Sequence, residues 1–205
     1  MLKFDNIESK TQNSHALILF HGYGGNTDSL KPLLNMISFK KDVSFYFLQA
    51  PYLMKSKSYS WSYEISPGVW ERDEPKVLLD DFFNKFIFSQ YEHENVFLLG
   101  FSQGALICFE YGLNINKSVG GIFPISGFTR NSPQIHPSQI DTPLIIGHGD
   151  NDQVIDISSS ENAYKYYTEV KKMNNVDLIK YKGGHKISLK YLKAINLFMS
   201  QKNIK

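Results

Sequence analysis

The 205 residues carry 42% hydrophobic and 20% charged side chains with a formal net charge of +2, which fits one globular domain, 1–205, able to bury a core without disulfides or metal. Arg72 and Arg130 are the only arginines and the lysines are dispersed, which argues against a dedicated nucleic-acid surface. The lone Cys108 excludes an internal disulfide and a cysteine-based zinc cluster, and the start lacks a secretory apolar core; no run approaches the roughly 18 apolar residues of a membrane span, so the expectation is a cytoplasmic chain without stable membrane insertion.

Taken in chain order, short apolar runs rich in β-branched and aromatic residues occur at 16–20, 43–48, 96–99, 121–125, 144–146 and 176–181. Continuous rather than alternating apolarity predicts strands buried on both faces, as in a parallel sheet covered by helices. Helical spacing is found between them, at 27–37, 76–91, 103–113, 158–173 and 187–201. In 76–91, Leu79, Phe82, Phe83, Phe86 and Ile87 share one face, and Asp80, Asp81 and Lys85 lie on the other. The alternation predicts an α/β architecture with a mostly parallel central sheet and helices on both faces. The stretch 51–75 reads as a long irregular loop in which Tyr52, Tyr59, Trp61, Tyr63 and Trp70 interleave with serines and charges. Its aromatics suit both an anchor to the body and a wall of a pocket.

Gly100-Phe101-Ser102-Gln103-Gly104 follows the 96–99 strand and opens the 103–113 helix. A serine between two glycines at such a junction is thrust out of a sharp, strained turn, where a carbonyl carbon can reach it. The plainer reading is a strand-to-helix turn with Ser102 as its N-cap. A serine hydroxyl needs a base, and the base needs a partner that fixes its tautomer. His185 is the best base of the six histidines, because it follows Gly183 and Gly184 in a loop between a late strand and the last helix. His21 and His148 end strands at the same edge and suit a structural role in orienting loops. Asp150 and Asp152 both follow the 144–146 strand, Asp150 nearer its end and suited to organising the turn, Asp152 further out.

A tetrahedral oxyanion needs preset N–H donors. The residues offer the Gln103 N–H at the helix start and, in the loop His21-Gly22-Tyr23-Gly24-Gly25-Asn26, the N–H of Tyr23. That loop has neither the Walker spacing nor GxGxxG, which argues against a phosphate cradle.

Over nearly its whole length the chain resembles the phospholipase/carboxylesterase family of α/β-hydrolases, which includes acyl-protein thioesterases and small bacterial carboxylesterases. The 21–26 loop is similar to the family's His-Gly-x-Gly loop, and Gln49-Ala50-Pro51 to its Ala-Pro strand end. Gly100-Phe101-Ser102-Gln103-Gly104 is similar to its elbow, Ile125-Ser126-Gly127-Phe128 to its Ser-Gly-aromatic strand end, and His148-Gly149-Asp150-Asn151-Asp152-Gln153-Val154 to its His-Gly-Asp-x-Asp segment. In that last segment the second aspartate is the catalytic one, so the resemblance selects Asp152. The chain departs from the pattern at Ala105, at Gln153 and in the looser match of Trp61-Ser62-Tyr63-Glu64.

The resemblance implies a serine carboxylesterase with the triad Ser102, Asp152 and His185, no metal and no cofactor. Trp61, Phe128 and Val154 are the expected substrate-binding residues, and the partner is a small-molecule or lipid acyl ester or thioester. A lysophospholipase or acyl-protein thioesterase acting on long acyl chains is the alternative within the class. A catalytically silent binding module on a hydrolase scaffold is the alternative outside it, and the complete Ser, Asp, His set argues against that. An exposed apolar surface near the aromatic loop would support a homodimer.

Overall fold

The computed structural model describes residues 1–9, 15–39, 42–130 and 133–202. In chain order its elements are strands β1 (Phe4–Ile7), β2 (His15–Phe20) and β3 (Val43–Leu48), then two hairpins, β4 (Tyr52–Lys55) with β5 (Ser58–Ser60) and β6 (Glu64–Ser66) with β7 (Val69–Trp70). Helix α1 (Asp73–Phe82), strand β8 (Val96–Phe101), helix α2 (Gln103–Glu110) and strands β9 (Gly121–Ile125) and β10 (Leu144–Gly149) follow. Helix α3 (Ser158–Lys165), strand β11 (Val176–Tyr181) and helix α4 (Leu189–Gln201) complete the order. Helices α1 and α3 each continue into a π-helical turn, at Phe83–Ile87 and Tyr166–Val170.

One seven-stranded sheet runs β1-β3-β2-β8-β9-β10-β11. Only β1 is antiparallel to its neighbour, and the other pairings are parallel. Alternate residues of the central strands enter two separate cores. Ala16, Ile18 and Phe20 of β2 join Leu98 of β8 under α1, α2 and α3, through Leu79, Phe82, Cys108, Phe109 and Ala163. Leu17 and Leu19 join Phe97, Leu99 and Phe123 under α4, through Tyr191, Leu192, Ile195 and Met199. Burial on both faces is why these strands read as continuous apolar runs, and it is the expected mostly parallel sheet with helices on both sides.

Two expectations are corrected, and one strand went unpredicted. Residues 27–37 do not form an α-helix: a 3-10 turn covers Lys31–Asn35 only. Asn26 Oδ1 accepts from the Asp28 N–H at 2.9 Å and Ser29 Oγ from the Asn26 N–H at 2.9 Å, so side chains compete with the helical ladder, and Pro32 supplies no donor. The stretch 51–75 is not irregular, because it folds into the two antiparallel hairpins. Its strands are two to four residues long and mostly exposed, too short to leave a period. Strand β1 carried no apolar run; as an edge strand it has two half-buried and two exposed residues, and pairing with β3 decides its state.

Candidate active site

The parallel strands deliver the loops after β2, β8, β9, β10 and β11 to one edge of the sheet, the usual position of a site in an open α/β sheet. Ser102 lies between β8 and α2 with φ +55° and ψ −115°, a conformation L-residues rarely adopt and one that stores strain. The turn is held by the Ser102 N–H, which donates to the Ile125 carbonyl at 2.8 Å, and by the close seating of α2 on the sheet. A Cβ on Gly104 would run into the Phe20 carbonyl oxygen, so only glycine lets the helix start there. From Gln103 to Phe109 every residue of α2 is buried, which fixes the helix in place.

The loops after β10 and β11 are stitched to each other. The N–H of Asp150 donates to the Tyr181 carbonyl and that of Asn151 to the Gly183 carbonyl, at 2.9 and 3.0 Å. Asp150 Oδ1 accepts from the Gly183 N–H at 3.1 Å, so this carboxylate organises the turn. A side chain on Gly149 would strike the Gly183 and Gly184 carbonyls, and its absence permits the close approach. Asp152 and His185 are thereby brought face to face.

His185 Nδ1 donates to Asp152 Oδ2 at 2.7 Å, and His185 Nε2 lies 3.0 Å from Ser102 Oγ. A carboxylate only accepts, so Nδ1 carries the proton and the Nε2 lone pair faces the hydroxyl. The Phe101 ring packs against the imidazole at 4.8 Å. Burial alone would raise the Asp152 carboxyl; the Ile155 N–H, the His185 ring and the Val154 N–H outweigh it and hold the group below the usual carboxylate range. Both of those N–H groups donate to Oδ1, at 3.0 and 2.9 Å.

Behind Asp152 sits His148, fully buried. Its Nε2 faces the Ile155 carbonyl at 2.9 Å and lies 3.3 Å from Asp152 Oδ2. Since the carbonyl only accepts, that nitrogen is protonated, and Nδ1 accepts from Ser160 Oγ at 2.6 Å. His21 is oriented in the same manner: Nε2 accepts from the Ala50 N–H at 3.1 Å, and Nδ1 donates to the Gly22 carbonyl at 2.7 Å. It ties the loop after β2 to the end of β3.

In the 21–26 loop, the Gly24 N–H donates to the Tyr59 carbonyl and the Gly25 N–H to the Gly22 carbonyl. No acceptor among the described residues takes the Tyr23 N–H. At the first position of α2 the Gln103 N–H has no intrahelical acceptor. The side chain of Gln103, unremarked in the sequence, is a hub: Oε1 accepts from the Trp61 N–H at 2.9 Å, and Nε2 donates to Ser60 Oγ at 2.9 Å. It locks the segment after β5 against the elbow.

Ser102 opens into a cleft of about 340 Å³ walled by Tyr23, Ser62, Trp70, Gln103, Leu106, Phe128 and Arg130. Phe128 is on that wall; Trp61 and Val154 are not among its lining residues, although Trp61 lines an adjoining pocket. Trp61 is 1% exposed, with its indole N–H on the His21 carbonyl at 2.9 Å and its ring edge-on to Phe20; it supports the 21–26 loop from below. Val154 is 70% exposed and touches the site through the backbone bond to Asp152. Two spaces adjoin the cleft. A groove of about 670 Å³ runs between the hairpins past Tyr52, Leu53, Met54 and Tyr63, sharing Tyr23, Ser62 and Trp70 with the cleft. A pocket of about 160 Å³ lies against α1 and α2, sharing Ser62, Leu106 and Arg130. The aromatic stretch therefore does both things its composition suggested: Tyr59 and Trp61 anchor it, and Tyr52, Tyr63 and Trp70 form walls.

Among the described residues, no group of three or more His, Cys, Asp and Glu side chains is arranged to hold a metal ion, and no helix is long and apolar enough to cross a membrane.

The chain is similar to acyl-protein thioesterase 1 of Kluyveromyces lactis, at 27% identity over 95% of each chain. Its fold is similar to that of esterase PE8, with a TM-score of 0.80 at 20% identity over 100% of this chain and 99% of the other. The Bacillus cereus carboxylesterase superposes with a TM-score of 0.81 at 18% identity, over 98% of this chain and 94% of the other. The phospholipase/carboxylesterase family model matches residues 74–203, from the first turn of α1 to the end of α4. With that match covering well over half of its length, the chain belongs to the phospholipase/carboxylesterase family of α/β-hydrolases and is a serine hydrolase.

Proposed function

We propose that the protein hydrolyses carboxylic esters through an acyl-enzyme, with residues 1–205 acting as one catalytic domain. Ser102 Oγ attacks the carbonyl carbon while His185 Nε2 takes its proton, and Asp152 holds the ring and stabilises the imidazolium. The Tyr23 and Gln103 N–H groups receive the developing oxyanion. The tetrahedral intermediate collapses as His185 returns the proton to the departing alcohol or thiol. A water, deprotonated by the same nitrogen, then attacks the acyl-Ser102 ester and releases the acid. The observation that carries this reading is the continuous relay from Ser102 Oγ to His185 at 3.0 Å and from His185 to Asp152 at 2.7 Å.

The test is labelling by a fluorophosphonate together with hydrolysis of short p-nitrophenyl esters. The wild type should do both, and Ser102→Ala should lose the label and about 10⁶-fold in kcat. A wild type that does neither, or an unchanged Ser102→Ala protein, would overturn the assignment.

A second reading, action on long acyl chains, is favoured by the groove past Tyr52, Leu53, Met54 and Tyr63, continuous with the Ser102 cleft, and by the thioesterase name of the Kluyveromyces lactis relative. A series of acyl-chain lengths separates the two. Rates that rise beyond C8 support the long-chain reading, and rates that peak at C2 to C4 and collapse beyond exclude it.

A further inference from the structure

Arg130 is one of only two arginines in the chain, and it stands where the Ser102 cleft meets the small pocket against α1 and α2. Its side chain is only 17% exposed. The nearest carboxylate is Glu110, whose Oε1 lies 3.5 Å from Arg130 Nε, longer than a well-formed N–H···O bond. Arg130 Nη1 is buried and meets no acceptor among the described residues. A guanidinium cannot escape burial by losing its proton, so its donors hold their charge and their need for an acceptor.

The other charges in the pocket, Glu71, Arg72, Asp73 and Lys76, do not meet that need, and among the described residues neither Glu71 nor Asp73 forms an ion pair with Arg130. Glu71 Oε1 is occupied at the start of α1, where it accepts from the N–H groups of Asp73 and Glu74 at 2.9 Å each. Arg72 lines the same pocket and adds positive charge near Glu110 and Arg130. The rest of the Ser102 cleft is neutral: Tyr23, Ser62, Trp70, Gln103, Leu106 and Phe128 surround the one cation. A substrate whose carbonyl sits at Ser102 therefore has one strong recognition element within the same cleft, and that element is specific for an anion.

We propose that Arg130 is a specificity-determining residue that pairs with a carboxylate carried by the ester or thioester substrate, so that the protein prefers acidic over neutral esters of equal size. The planar fork of the guanidinium suits a carboxylate, and charge-assisted bonds in a partly dry cleft are the stronger kind. The carboxylate can belong to the acyl part or to the leaving group, because the cleft adjoins both the groove between the hairpins and the pocket against α1 and α2. This proposal rests on the ester-hydrolase reading.

The test compares two matched pairs of substrates. p-Nitrophenyl hemiglutarate against p-nitrophenyl valerate probes the acyl side, and 4-acetoxybenzoate against its methyl ester probes the leaving group. In the wild type, kcat/KM for the anionic member of one pair should exceed that of its neutral partner, mainly through KM. Arg130→Gln should lower that ratio by about 10- to 100-fold, and Arg130→Lys should restore part of it. Because the ratio is internal to each protein, partial misfolding of a variant does not imitate the result. No anionic preference in either pair, or one that survives Arg130→Gln, overturns the proposal while leaving the esterase reading intact. Failure of the wild type to hydrolyse any of the four esters overturns both.

Discussion

On one side of Ser102, the loops after β10 and β11 are joined to each other and to the sheet by main-chain hydrogen bonds, and they present Asp152 and His185 from fixed backbone. On the other, the two hairpins carry short exposed strands and hold to the body through a few contacts: Trp61 under the 21–26 loop, Gln103 against Ser60 and Trp61, and the paired main chains of Gly25 and Tyr59. The contrast separates the demands of chemistry from those of selection. Proton transfer needs heavy atoms held within hydrogen-bond reach, which a sheet edge supplies. The wall of a cleft needs only a stable position, and a local hairpin with a few anchors provides it.

The contrast can be broken by substituting one residue on each side. Asp152→Asn removes the acceptor that fixes the His185 tautomer and should cost about 10⁴-fold in kcat for p-nitrophenyl acetate with little change in the far-ultraviolet spectrum. Gln103→Ala strands the buried Trp61 N–H and should cost about 1–3 kcal/mol in urea unfolding, with faster hydrogen exchange at 58–62. A Gln103→Ala protein whose 58–62 amides exchange as slowly as the wild type would show that the hairpin side is held by something other than this anchor.

The smallest effect concerns pH. Burial is the main cause holding His15, His21 and His93 below the ordinary value of 6.5. The unfolded chain takes protons near that pH and the native chain resists them, so the associated stability is fully present above about pH 6.5 and falls as pH drops below it. The slope is at most about 1.4 kcal/mol per pH unit for each histidine. Asp152 acts in a separate, lower window, its contribution present above the ordinary 3.8 and lost as pH falls through its depressed value. Urea unfolding at pH 7.5, 6.5 and 5.5 checks the upper window, and a flat profile would remove the histidines, His21 in the 21–26 loop among them, as a source of acid lability.

Legibility in the sequence followed the range of the forces involved. The central strands could be read because burial on both faces leaves continuous apolar runs, and the elbow because a sharp turn under a close-packed helix requires glycine at 100 and 104. The hairpins, β1 and the 3-10 turn at Lys31–Asn35 could not, since their conformation depends on partners distant in sequence or on side-chain bonds within a few residues. Spacing alone did not decide between Asp150 and Asp152; their environments differ because one accepts from the Gly183 N–H and the other from the His185 ring.

The sequence by itself determined the parallel strands of the sheet, the order of Ser102, Asp152 and His185 along the chain, and the loops that carry them. Only the tertiary structure decided which side chains share the Ser102 cleft: it turned Trp61 inward as a support, left Val154 in solvent, and brought Arg130 to the cleft wall. The physical reason is that backbone periodicity and turn chemistry are local, whereas the neighbours of a side chain in a cleft come from separate loops and are set when the sheet assembles.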